Sequence, residues 1–148
     1  MQMNKKNKRT RAGFTMVELM AMLIIIGLLA ALVVTKVTNQ IDKARVTTTK
    51  VNLKALASAV NQFKMDSGQF PTEEEGLDAL VNPPSDAVNY PPGGYLETTE
   101  VGLDAWGNEF YYDPYPESGK PFEIISWGED GEEGGEGYDA DLRNTDAM

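Results

Sequence analysis

The 148-residue chain contains neither cysteine nor histidine. Without cysteine, no disulfide can brace it in any compartment. Without histidine, it lacks the commonest acid–base catalyst and a principal metal ligand, and with both missing zinc is a poor fit. Positive charge is scarce as well: 13 Lys and Arg stand against 23 Asp and Glu, a net charge of -10. A nucleic-acid partner needs a basic surface to displace counterions from phosphates, so the composition argues against that class.

The positive charge that is present is unevenly placed. Residues 1–13 carry Lys5, Lys6, Lys8, Arg9 and Arg11 and no acid; residues 14–65 carry six bases against Glu18 and Asp42; from Asp66 onward 21 acids face only Lys120 and Arg143. This order of basic leader, apolar then mildly basic middle, and acidic end predicts a molecule laid out along an axis.

Phe14 to Thr35 is a run of 22 residues with one charge, Glu18. As a helix it extends about 33 Å, the thickness of a bilayer core. The five preceding bases place the leader on the cytoplasmic side and the remainder across the membrane. Two other readings fit a basic-then-apolar start: a secretory signal peptide cut after Ala30 or Ala31, and a buried core helix. The length of the run and its early carboxylate weigh against the first, because an acid in hydrocarbon costs about 2.5–3.5 kcal/mol at mid-helix. The charged leader weighs against the second. Beyond Thr35, Ile41, Ala44, Thr48, Val51, Ala55, Ala59 and Phe63 recur every three or four residues, with lysines mostly on the other side. The period predicts one amphipathic helix continuing the apolar run to about Met65, on the order of 78 Å long. Gly68 is placed to cap it in a left-handed conformation, and Pro71 prevents resumption.

The stretch Arg11-Ala12-Gly13-Phe14-Thr15-Met16-Val17-Glu18-Leu19 resembles the processing motif of the type IV prepilin family. The resemblance implies cleavage between Gly13 and Phe14 by a membrane-embedded prepilin peptidase, N-methylation of Phe14, and an assembly role for Glu18. In that role the Glu18 carboxylate pairs with the Phe14 amine of a neighbouring subunit, and opposite charges at low dielectric attract strongly when paired and are costly alone. The bland alternative has Glu18 reaching to the headgroups. One departure is Thr35, where related sequences carry proline; Gly27, another family position, is kept.

The remainder, 67–148, reads as a head rich in Gly, Pro and acids. Thr72 and Glu75 form a capping box before a short helix ending at Asn82-Pro83-Pro84. Tyr95-Leu96, Glu109 to Tyr112 and Phe122 to Ser126 read as strands of a small antiparallel sheet. Phe70-Pro71-Thr72 with Glu75-Gly76-Leu77, Asn89-Tyr90-Pro91, Asp104-Ala105-Trp106-Gly107-Asn108 and Ser126-Trp127-Gly128-Glu129-Asp130-Gly131 are similar to segments of type II secretion major pseudopilins, with Ala105 and Trp127 replacing a proline and a leucine.

Residues 128–141 hold seven carboxylates and five glycines. Hard oxygen donors in a flexible loop suit Ca²⁺, although an acidic Gly-rich segment taken alone is more often solvated. The pseudopilin resemblance implies a structural calcium in a loop at 126–141, with Asp130, Asp139 and Asp141 giving side-chain oxygens, Trp127 and Glu132 backbone carbonyls, and Glu133 and Glu136 as further donors.

The expectations are therefore these. The fold is α+β and type IV pilin-like: a long N-terminal helix, membrane-spanning in its first half (14–35) and amphipathic in its second (36–66), packed against a small antiparallel head, after a cleaved leader at 1–13. The chain is not an enzyme. It is a single-pass bacterial inner-membrane protein with a periplasmic head, polymerising with itself into a pseudopilus that drives export of folded proteins across the outer membrane. Minor pseudopilins, the inner-membrane assembly platform, prepilin peptidase and membrane lipid are its partners. A type IV pilus or DNA-uptake pseudopilus is the rival within the fold. A secreted calcium-dependent enzyme is the rival from another class, with no motif to position a carboxylate pair.

Overall fold

A computed structural model describes residues 13–146 except 86 and 88, with the side chains of 33–39 also outside the description. The predicted leader, apart from Gly13, thus lies outside the described residues. The chain divides into two compact units, Met1–Asn39 and Gln40–Met148.

The helix α1 runs Met16–Ser67, 52 residues, and its backbone is helical through Thr35. It stops where expected: Gly68 takes φ +85° and its N–H donates to the Lys64 carbonyl at 2.8 Å. In the first unit every described side chain from Phe14 to Leu32 is exposed. Among the described residues no helix is long and apolar enough to cross a membrane; the part of the predicted span that follows Leu32 falls among the side chains outside the description.

In the second unit the amphipathic part of α1 buries Leu53, Leu56, Val60 and Phe63 in one core with Leu77, Leu80, Tyr112, Phe122 and Ile124. Aromatic rings close its margin, with Phe63 edge-on to Tyr95 at 5.5 Å and Phe70 against Phe122 at 5.1 Å between centroids. The sheet is an antiparallel meander of β1 (Tyr111–Asp113), β2 (Glu123–Ser126) and β3 (Leu142–Arg143). Tyr111 pairs with Ile125 and Tyr112 with Ile124; Ile125 in turn pairs with Arg143. Alternation along the strands turns Tyr112 and Ile124 to the core and the Tyr111, Asp113, Glu123 and Ile125 row outward.

Two local expectations are corrected. Tyr95-Leu96 is not a strand: the Tyr95 N–H bonds the Leu80 carbonyl at 2.7 Å, and its ring serves the core. The third strand is Leu142–Arg143, extended by Asn144, which accepts from the Ile124 N–H at 2.8 Å through its side chain and donates its own N–H to the Ile124 carbonyl at 3.0 Å. The short helix is a 3-10 helix, Gly76–Leu80. The Thr72–Glu75 box does form, with the Thr72 N–H on Glu75 Oε2 at 2.8 Å and the Glu75 N–H on Thr72 Oγ1 at 3.3 Å, but it closes the turn before that helix.

Candidate functional sites

The first site is the start of α1. Gly13 and Phe14 precede the helix and are exposed. Thr15 and Glu18 form a reciprocal cap: the Thr15 N–H and hydroxyl both donate to Glu18 Oε2, at 2.9 and 3.0 Å, and the Glu18 N–H donates to Thr15 Oγ1 at 3.2 Å. Two otherwise orphaned donors of the first turn are thereby satisfied. The Glu18 carboxylate is fixed at the first turn of the helix, on the exposed apolar run.

The second site is the acidic loop between β2 and β3. Its root is held by a turn at 104–108. Asp104 is buried, and its Oδ1 accepts the N–H groups of Trp106, Gly107 and Asn108 at 2.8–2.9 Å while its Oδ2 accepts the Ser126 hydroxyl at 2.7 Å. Four donors satisfy the carboxylate, which is the condition for keeping a charge buried. The Ala105 N–H donates to Thr49 Oγ1 at 3.1 Å, tying this turn to α1. The Asn108 amide donates to the Gly128 carbonyl at 2.9 Å, tying it to the loop. The Asp-Ala-Trp-Gly-Asn stretch was visible in the sequence as a resemblance only; what it clamps emerges from the fold.

Within the loop, the Glu129 N–H bonds the Tyr138 carbonyl at 3.0 Å and the Asp141 N–H bonds the Gly134 carbonyl at 3.1 Å, so its two halves lie against each other. Side chains at Gly128 and Gly135 would force the backbone to shift: a Cβ at either would sit 2.5–2.6 Å from the Asp139 carbonyl oxygen.

The predicted ligands are placed as follows. Asp130 Oδ1 accepts the Glu132 N–H at 3.1 Å, and the Trp127 carbonyl accepts the Gly131 N–H at 3.2 Å. Asp141 accepts the Gly134 N–H at 2.9 Å through Oδ1 and meets Arg143 at 3.3 Å through Oδ2. Asp139 is half-buried, its carbonyl lying close against Gly128 and Gly135. Glu132, Glu133 and Glu136 are exposed. Among the described residues no three acidic groups are gathered so as to hold a metal ion. Sequence reasoning missed two cations at this loop: Arg143, 3.8 Å from Glu123, and Arg45 on α1, 4.0 Å from Glu129 and 3.8 Å from Asp42.

A long helix whose exposed apolar start leads into a helix packed on a small meander defines the class of pilin-like subunits. Comparison with known proteins gives the family. Residues 36–145 match the family described as type II secretion system (T2SS), protein G. The chain is 41% identical over 142 residues to the type II secretion system core protein G of Pseudomonas aeruginosa, covering 94% of this chain and 98% of the relative. It is 36% identical over 141 residues to that of Vibrio cholerae, covering 94% of each. Its fold matches the crystal structure of the major pseudopilin from the type 2 secretion system of enterohaemorrhagic Escherichia coli with a TM-score of 0.58 and 30% identity, over 72% of this chain and 91% of that one. The chain belongs to the type II secretion system protein G family, the major pseudopilins.

Proposed function

We propose that this chain is the repeating subunit of a periplasmic pseudopilus that helps folded proteins cross the outer membrane, and that it acts as structure, not as catalyst. The observation that carries this reading is the near end-to-end match to core protein G, which includes the apolar run as well as the head. The exposed apolar side chains from Phe14 to Leu32 need a cover. Lipid supplies it before assembly, with the chain a single-pass inner-membrane protein, and neighbouring helices supply it afterward. Prepilin peptidase cuts between Gly13 and Phe14 and methylates Phe14. Glu18, held at the helix start by Thr15, then faces a neighbour's amine. Minor pseudopilins and the inner-membrane assembly platform are the remaining partners.

The acidic loop is the proposed seat of a structural calcium ion. Its donors are all oxygens, which suits calcium in kind, and the loop is closed on itself and clamped to the head through Asn108 and Asp104. Against this stands the scatter of the carboxylates, with Asp141 engaged by Arg143. Binding therefore requires Asp130, Asp139 and Asp141, with the Trp127 and Glu132 carbonyls, to share one ion.

The deciding experiment for the filament reading is the amino terminus of the mature protein. The expected result is N-methylphenylalanine at Phe14, with loss of protein secretion on deletion of the gene. A mature chain beginning after Ala30 or Ala31 removes the shaft and with it the filament.

A further inference from the structure

The outward row of the three-stranded sheet opens onto a surface cleft, with Glu123 and Ile125 buried at its base. Tyr111, 45% exposed, stacks on Trp127 at 5.5 Å between centroids and 21° between planes, and the pair walls a cleft of about 620 Å³ floored by Ile125. Asp113, Glu117 and Glu133 also line this cleft. Its one base, Arg143, is already committed to Glu123 and Asp141. Among the described residues, the Glu117 and Glu133 carboxylates have no cation. The cleft therefore presents stacked aromatic rings and uncompensated negative charge, a combination that attracts cationic side chains.

The same unit carries the complementary excess. Lys43, Lys50 and Lys54 fall on one stripe of α1, at about 100° per residue, roughly 100–140° around the helix from the Leu53, Leu56, Val60 and Phe63 stripe that enters the core. Among the described residues, Arg45 and Arg143 make all the ion pairs with acids, so none of these three lysines has a carboxylate partner. The cleft and the stripe cannot satisfy each other inside one molecule, because the core lies between them: α1 and the inner sheet residues Tyr112 and Ile124 meet there.

We infer that the lysine stripe of one copy of this chain docks into the Tyr111–Trp127 cleft of a second copy. The two surfaces are different, so the contact is heterologous, and a heterologous contact that does not close on itself propagates a filament. This deepens the filament reading and rests on it. It adds a second point of subunit registration, in the head, made from charge and aromatic surface.

The absence of native cysteine makes the contact directly testable in the full-length chain, expressed in cells that carry the secretion apparatus. Lys54→Cys and Glu117→Cys placed together on one chain give, on mild oxidation, a ladder of covalent multimers beyond dimer; either substitution alone gives none beyond dimer. Lys50→Glu with Lys54→Glu lowers filament yield at least tenfold, and adding Glu117→Lys restores a large part of it. Normal wild-type filaments with no ladder, or with unaltered yield in the charge-reversed chain, overturn the docking contact and leave the filament reading standing. Secretion intact without any wild-type filament overturns both.

Discussion

Tyr112 shows how one polar atom is accommodated in the core. Its ring is buried, and its hydroxyl donates to the Pro71 carbonyl at 3.0 Å across the space between β1 and the end of α1. Burial, above all, raises its pKa from the ordinary value of 10.0, with Tyr115, Asp113 and Glu75 adding to the rise. The unfolded chain therefore loses the Tyr112 proton first as pH rises past about 10, the folded state then binds more protons, and stability falls from that pH upward. Burial raises Tyr90 and Tyr95 in the same direction. Tyr112→Phe leaves the Pro71 carbonyl without this donor and costs about 1 kcal/mol at neutral pH. It also flattens the alkaline loss. Urea melts of residues 40–148 at pH 7 and pH 11 check both effects: the deficit of the variant narrows at the higher pH. An equal deficit at both would mean that the hydroxyl is not buried.

At the scale of elements, legibility followed the strength of the local signal. The helical period of α1 and the Gly68 stop were plain, because a helix of that length repeats its pattern many times. The buried stripe is not the predicted one: Ile41, Ala44, Thr48, Val51 and Ala55 are exposed, and Leu53, Leu56 and Val60 enter the core with Ala59 and Phe63. The strands were less so. Tyr95-Leu96 has the aromatic and apolar character of a strand, yet one backbone bond to Leu80 and ring packing on Phe63 hold it as a core loop. Leu142–Arg143 carries no strand pattern in two residues; pairing with Ile125 and Ser126 and the Asn144 bonds to Ile124 make it one. The candidate assembly and ligand residues were named from residue type and family resemblance. The clamp through Asp104, Thr49 and Asn108 was not, since residues 49 and 105 meet only in the fold. The loop itself yields a prediction in which neighbours differ. Gly135 and Gly134 both have positive φ, +78° and +106°, but only at Gly135 would a Cβ meet Asp139, 2.5 Å from its carbonyl oxygen, while at Gly134 nothing lies within 4 Å. Gly134→Ala costs the left-handed penalty alone, about 1–2 kcal/mol. Gly135→Ala adds a backbone collision and costs about 2–4 kcal/mol. Denaturant midpoints of the two variants rank them, and equal midpoints would show that the loop halves are not packed at Asp139.

Across the whole molecule the dominant physical fact is the separation of charge: 21 acids against Lys120 and Arg143 from Asp66 onward. Self-repulsion of that order opposes compaction, and no disulfide is available to offset it. The repulsion is densest at residues 128–141, where seven carboxylates share one loop and, among the described residues, only Arg45 and Arg143 pair with them from outside. A cation bound there would stabilise the folded head alone, by about 2.7 kcal/mol at a hundredfold excess over its dissociation constant. For the 109 residues of Gln40–Met148 that amounts to a rise in melting temperature on the order of 10 °C. General screening predicts something different: any salt at equal ionic strength would raise the melt alike. The comparison is therefore between millimolar calcium, magnesium at the same concentration, sodium chloride at matched ionic strength, and chelator. A specific oxygen-donor site gives a shift with calcium, a smaller one with magnesium because that ion demands tighter octahedral geometry, and reversal by chelator. Asp139→Asn removes the calcium shift while leaving the chelated melt close to that of the parent, because among the described residues the Asp139 carboxylate makes no ion pair whereas Asp141 is held by Arg143. Identical melts in calcium and chelator would leave the acidic loop held by its own backbone bonds, Arg45, Arg143 and the Asn108 clamp, without a metal ion.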